Sequence, residues 1–127
     1  MNLNHDITSI ESALFLALKS TLPNTEVFAS RRSSTSNSDL VVVGRCVTEV
    51  VDKNAFGQTI CRVEVYVKEK GGLKDAARMT DIKKKIMAAL PFKTQSYTFT
   101  YMSNIPIGFD QNTRYDLEVV NLTVITN

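Results

Sequence analysis

Histidine, cysteine and phosphate-loop glycines are all scarce in this chain of 127 residues, and each scarcity removes a class of chemistry. The one histidine is His5, near the first residue, so no two-histidine metal site forms within a single chain. Two cysteines, Cys46 and Cys61, are too few for a disulfide framework, and their spacing matches no zinc pattern. The five glycines contain no Gly-x-x-x-x-Gly-Lys run. Gly71-Gly72 stands ahead of a predicted helix and offers a weak anion-binding signal; a plain strand-to-helix turn is the simpler reading. No apolar run nears the roughly 20 residues that cross a bilayer. Residues 1–6 lack the basic start and apolar core of a signal peptide. The expectation is a protein made in the cytoplasm, with no membrane partner, no metal and no cofactor.

An excess of one charge is missing too. Fifteen basic and 13 acidic residues leave a net charge of +2, too balanced to announce nucleic acid by itself. Hydrophobic residues at 43% and charged residues at 22% are ordinary for a soluble globular protein. The length fits one domain over residues 1–127.

What is present is clear periodicity. Ile7, Ile10, Leu14, Ala17, Leu18 and Leu22 recur at helical spacing, predicting a helix over 8–22 that Thr8 and Glu11 cap as a box and Pro23 ends. Residues 26–29 form a short strand, and the polar run 30–39 reads as an exposed loop. Residues 40–51 form a β-branched strand in which Gly44 marks a bulge. Turn residues fill 52–57. Over 58–70, Cys61, Val63, Val65 and Val67 alternate with Arg62, Glu64, Tyr66 and Lys68, the pattern of a half-buried strand. Folding the hairpin brings Cys46 nearly opposite Cys61, both reduced and the latter buried. A second helix spans 73–90, with Leu73, Ala76, Met79, Ile82, Ile86, Ala89 and Leu90 on its apolar side. A strand follows at 97–102, then a loop at 103–113. The last strand, 114–125, has its apolar residues Leu117, Val119, Leu122 and Val124 on both parities, which predicts a bulge near Val120 or Asn121. The order α-β-β-β-α-β-β gives an α+β fold, an antiparallel or mixed sheet with two helices packed on one face.

Catalysis finds no home in this inventory. Glu49 and Glu64 sit on the predicted hairpin and Asp116 and Glu118 on the last strand, and an acid/base pair among these four is one alternative. A second alternative is a nucleic-acid-binding module. It would use Arg31, Arg32 and the run Lys83, Lys84 and Lys85, with Tyr97, Phe99 and Tyr101 as stacking surfaces.

The opening segment from Ile7 to Leu14, the polar loop 30–39, the strand from Cys61 to Lys68, the helix before Tyr97 and the closing strand from Tyr115 to Ile125 together resemble tail terminator or tail completion proteins of long-tailed bacteriophages. The resemblance covers nearly the whole chain and rests on element order. It implies a structural virion protein without catalysis that caps the tail tube and joins it to the head. It also implies self-assembly into a ring, six-membered in many relatives, in contact with a tail tube protein and a head-tail connector protein. The implied location is the virion tail, assembled in the host bacterial cytoplasm. The surfaces expected to carry these contacts are the segments least needed for the core, 30–39, 52–57 and 103–113. Within them Arg31, Arg32, Lys53, Phe56, Ile105, Ile107 and Phe109 are the candidate interface residues, because apolar groups in exposed segments mark partner surfaces.

Overall fold

The computed structural model describes residues 7–29, 40–46, 51–53 and 56–126, with side chains described over 9–28 and 60–126. The chain runs α1 (Ile7–Thr21), β1 (Glu26–Ala29), β2 (Leu40–Cys46), β3 (Val51–Lys53), β4 (Phe56–Lys68), α2 (Ala76–Ala89), β5 (Phe92–Lys93), β6 (Tyr97–Phe109) and β7 (Tyr115–Thr126). All seven strands join one sheet, ordered β1-β2-β4-β7-β6-β5, with β3 pairing β4. Among the described residues only β1 and β2 pair in parallel. The fold is α+β, as the sequence pattern implies.

The alternation in β4 decides how the layers stack. Cys61, Val63, Val65 and Val67 are fully buried and join one core with Ile10, Leu14, Leu18 and Leu22 of α1 and Met79, Ile82 and Ile86 of α2. The same face continues on β7 through Val120, Leu122 and Val124 and on β6 through Tyr97 and Phe99. Residues directly paired across a ladder point to the same side. The pairs Cys61↔Leu122, Val63↔Val120 and Val65↔Glu118 therefore fix the helix-covered face for the central strands. Both helices close that face, and the small residues Ala13 and Ala17 of α1 pack on the same core. Burial of this many aliphatic side chains, at about 1.5–3 kcal/mol each, is the main force holding the two layers together.

Several local expectations are corrected. The second helix starts at Ala76, where the Asp75 carboxylate accepts from the Arg78 amide at 3.1 Å. Leu73 is not on its apolar side; it is 74% exposed. It sits in a tight turn, exchanging backbone hydrogen bonds with Lys70 across Gly71 and Gly72. Those glycines have φ of 62° and 82°, the left-handed pair that a two-residue primed turn needs. The glycine amides thus lie in the turn rather than at the helix end, and the anion reading loses its basis. Thr8 lies inside the first turn of α1 rather than ahead of it. Gly44 makes no bulge, since β2 keeps an unbroken register from Leu40↔Val67 to Cys46↔Cys61. That register does place the two cysteines opposite each other, and Cys61 is fully buried.

The strands are also more numerous and longer than their pattern suggests. Phe56 and Gly57 belong to β4, paired with Lys53 and Asp52, so these four of the predicted turn residues lie in strands; residues 54–55 are outside the described ones. The largest correction is β6. It does not stop at Met102 but continues to Phe109, absorbing most of the predicted loop. The irregularities lie on this strand and not on β7: the register slips between Tyr101 and Ser103 and again between Pro106 and Gly108. In β7 both parities are apolar because both faces are covered there, with Val119 and Val120 2% and 1% exposed.

Candidate functional site

Two places gather polar or exposed groups in a way the core does not require. The first is the helix-free face of β4 and β7. Glu64 is 6% exposed there. The Tyr66 hydroxyl donates to its Oε1 at 2.9 Å, and the Arg62 guanidinium lies 3.9 Å from its Oε2. Tyr66 meets Tyr115 edge to face at 6.1 Å, and the Lys68 ammonium sits 4.9 Å above the Tyr115 ring. Both carboxyl oxygens of Glu64 thus have a polar neighbour. Asp116 and Glu118 cannot join it as an acid/base pair: they pair with Val67 and Val65, and so occupy the opposite face of the sheet. Glu49 lies outside the described residues. On the helix-covered side, Glu118 binds Lys83 and accepts from Asn104 at 3.2 Å. Burial pushes the Glu118 carboxyl up, but the hydrogen bonds from Lys83 and Asn104 and the charges of Lys83 and Lys74 outweigh it and hold it below its ordinary value. Among the described residues no group of three histidine, cysteine, aspartate or glutamate side chains is placed to hold a metal ion.

The second place is the outer end of the sheet. β5 covers only Thr98 and Phe99 of β6. Residues 100–109 pair with β7 on one side and, among the described residues, with nothing on the other. From Tyr101 onward this strand is mostly exposed, and beside the polar Asn104 its large exposed groups are apolar: Tyr101 44%, Met102 49%, Ile105 47% and Ile107 56%. Met87, at the C-terminal end of α2, adds 41% exposure beside them. Between α2 and β6 a groove of about 220 Å³ is lined by Lys83, Met87, Tyr101, Asn104 and Val120. A second, of about 290 Å³, opens near the hairpin end, between Tyr66, Ile107 and Phe109. The hairpin end itself is pinned. Arg114, at φ 63°, ion-pairs with Glu69, donates to Gln111 at 3.0 Å and stacks 5.0 Å over Phe109.

The candidate residues fare unequally. Ile105 and Ile107 are exposed, on a strand rather than in a loop. Phe109 is half-buried beneath Arg114, a local plug. Lys53 and Phe56 face each other in the β3–β4 ladder. Arg31, Arg32 and His5 lie outside the described residues. Of the basic run, Lys83 is tied to Glu118 and Lys85 to Asp81 at 3.1 Å. Tyr97 and Phe99 are buried at 6% and 0%, which takes two of the three aromatic stacking surfaces into the core. Tyr101, a sequence-based candidate only as a stacking surface, and Met102, no candidate at all, belong to the exposed row.

No family model matches the chain. No curated protein matches it either. Among solved structures it is similar to a chain known only by a sequence label, at 14% identity and a TM-score of 0.56 over 94% of this chain and 92% of that one. That likeness concerns the fold.

Proposed function

We propose that this chain is a structural subunit of a phage or prophage tail, of the tail terminator kind, that self-assembles into a ring and works without catalysis. What carries the reading is the row Tyr101, Met102, Ile105 and Ile107, exposed along a strand with an open edge. Beside β4, whose Cys61, Val63, Val65 and Val67 all turn inward, such a row left in water fits a partner surface. The element order, which resembles tail terminators across nearly the whole chain, supplies the kind of partner: further copies, a tail tube protein and a head-tail connector protein. A ring suits a subunit with two unlike sheet ends, because heterologous contacts close when the rotation divides a circle. Arg31, Arg32, Lys53 and Phe56 complete the contact surface in this reading, the charges adding orientation more than affinity.

The test is genetic and structural. In a phage carrying this gene, the chain is expected in purified virions at a stoichiometry of one ring per tail. Replacing Ile105 and Ile107 by lysine is expected to give tails of irregular length that fail to join heads. Virions that lack the chain count against the function. Normal tails and heads in the double variant count against this surface.

A further inference from the structure

We infer that a second copy of this chain adds its β1 strand, antiparallel, to the open edge of β6, so that one sheet runs on from subunit to subunit. The inference rests on the self-assembly reading above and assigns its surfaces.

Strand direction carries the argument. β6 is antiparallel to β7, β7 to β4, and β4 to β2, while β1 is parallel to β2. Hence β6 runs in the sense of β4, and β1 runs in the opposite sense at the other end of the sheet. A copy turned about an axis along the strands brings its β1 beside β6 in antiparallel orientation, the slightly stronger pairing. Both ends then gain a partner, and the contact repeats without using either surface twice.

The edge itself is built to accept a strand over a short stretch. Natural edges are guarded by charge, proline and bulges. Residues 100–105 carry no charge and no proline, and of the three guards only a register slip, at Met102, falls among them. Pro106 and the register slip beyond it close the far end, which leaves a length that the four residues of β1 match. The slip at Met102 turns the edge, and a turn repeated at each contact bends a row of subunits toward closure. The exposed parts of Met87, Tyr101, Met102, Ile105 and Ile107 amount to roughly 450 Å², more than half of the ~800 Å² per partner in a standard interface. Main-chain pairing and the side chains flanking β1 supply the remainder.

The ladder predicts which residues meet. Phe28 shares the helix-free face with Val43, Glu64, Val119 and Ile105, because each is paired with the next across the sheet. Ser103 lies on that face too, and Asn104 on the other. Phe28→Cys protein mixed with Ser103→Cys or Ile105→Cys protein is therefore expected to give a mixed disulfide under mild oxidation. The linked peptides are identified by mass spectrometry to set aside Cys46 and Cys61. The mixture of Phe28→Cys with Asn104→Cys is expected to link at least tenfold less. A Met102→Lys, Ile105→Lys variant, changed only at exposed side chains, is expected to keep its thermal transition and lose the assembled species by mass. The reaction is run on concentrated protein and on assembled tails. Links of Ser103→Cys only to itself would mean a two-fold β6–β6 contact and overturn the inference. Rings by mass without the mixed link overturn it and leave the assembly reading standing. A chain that is monomeric at every concentration, and unlinked in tails, sinks both.

Discussion

β4 and β6 are each 13 residues long, neighbours across β7, and opposite in character. β4 lies between β2 and β7 and buries one parity without interruption from Cys61 to Val67. β6 begins the same way, with Tyr97 and Phe99 buried, and then leaves the core. Its helix-covered side is held by Tyr97, Phe99 and Tyr101, then by Asn104 and Pro106, then by Phe109. Each slip inserts one residue and swaps odd for even. A central strand cannot do this, since a one-residue shift sends its apolar set to the wrong face. The edge strand can, because beyond Tyr101 it has little core to lose. The comparison teaches that strict alternation is enforced by burial, and that where burial ends the strand is free to bend and to meet a partner.

The sharpest way to break that comparison is to put the same charge on both strands. Val65→Asp buries an unpaired carboxylate among Val63, Val67 and the helices, and is expected to cost about 3–5 kcal/mol in denaturant unfolding. Ile105→Asp is expected to stay within about 0.5 kcal/mol of the parent, because its side chain already faces water. Equal losses would mean that the outer half of β6 is part of the core. A finer cut runs along β6 alone. Phe99 is fully buried and packs edge to face with Phe92 and Tyr97 at 6.5 and 6.3 Å. Phe99→Ala is expected to cost about 3–5 kcal/mol. Tyr101→Ala, two residues on and toward the same side, is expected to cost less than about 1 kcal/mol. A reversal of that order would move the core boundary outward.

Legibility in the sequence followed the same boundary. The faces of α1, β4 and α2 were readable because one-sided burial imposes a period of 3.6 or 2 on the residues. The Cys46↔Cys61 register was readable because the hairpin has a clean strand on one side. Two kinds of feature were not. Leu73 continues the apolar spacing of α2, and only the positive φ values at Gly71 and Gly72 show that it belongs to the preceding turn. In β6, one parity swap at Met102 and another between Pro106 and Gly108 erase the alternation and mimic a loop. The exposure of Ile105 and Ile107 was still anticipated, for the wrong element: a loop and an unguarded edge both leave apolar groups in water. Met102 was missed, and Tyr101 was weighed only as a stacking surface, because both were assigned to a regular strand ending at Met102.

The slips themselves can be tested by removing one. Deleting Met102 leaves Tyr101 opposite Leu122 and Ser103 opposite Asn121, so no side chain changes face. The expected cost is about 1–2 kcal/mol, the scale of a local backbone adjustment. Deleting Arg62 instead would put Cys61 and the three valines Val63, Val65 and Val67 on opposite faces, and is expected to abolish cooperative unfolding. A folded Arg62 deletion, or an unfolded Met102 deletion, would erase the distinction between the two strands.

The smallest expected effect concerns the contact that marks where the helix-covered region gives way to the open edge. Glu118 of β7 holds Lys83 of α2 on one side and Asn104 of β6 on the other. Its carboxyl lies below its ordinary value, since the hydrogen bonds and charges of its neighbours outweigh burial. A group whose folded-state pKa is depressed contributes stability above its unfolded value and loses it as pH falls. The parent is therefore expected to exceed Glu118→Gln in stability at neutral pH, by about 0.2–1 kcal/mol for a partly exposed ion pair. The gap should close as the pH falls below the usual carboxylate range, where both side chains are neutral. Denaturant unfolding of the two proteins across the acid range measures it. A gap that stays constant with pH would assign the contact to packing rather than to charge. A gap that widens toward acid would mean that the carboxyl is raised in the folded state, with burial outweighing the Lys83 pair. Repeating the measurement in high salt separates the two contributions, because screening weakens the charge interaction and leaves packing unchanged. The Asn104 amide then reports on the edge. If α2 and the outer half of β6 are coupled through Glu118, Asn104→Ala should lower the pH-dependent part of the stability without altering the buried aromatic contacts of Phe99, and Ile105→Asp should leave it unchanged.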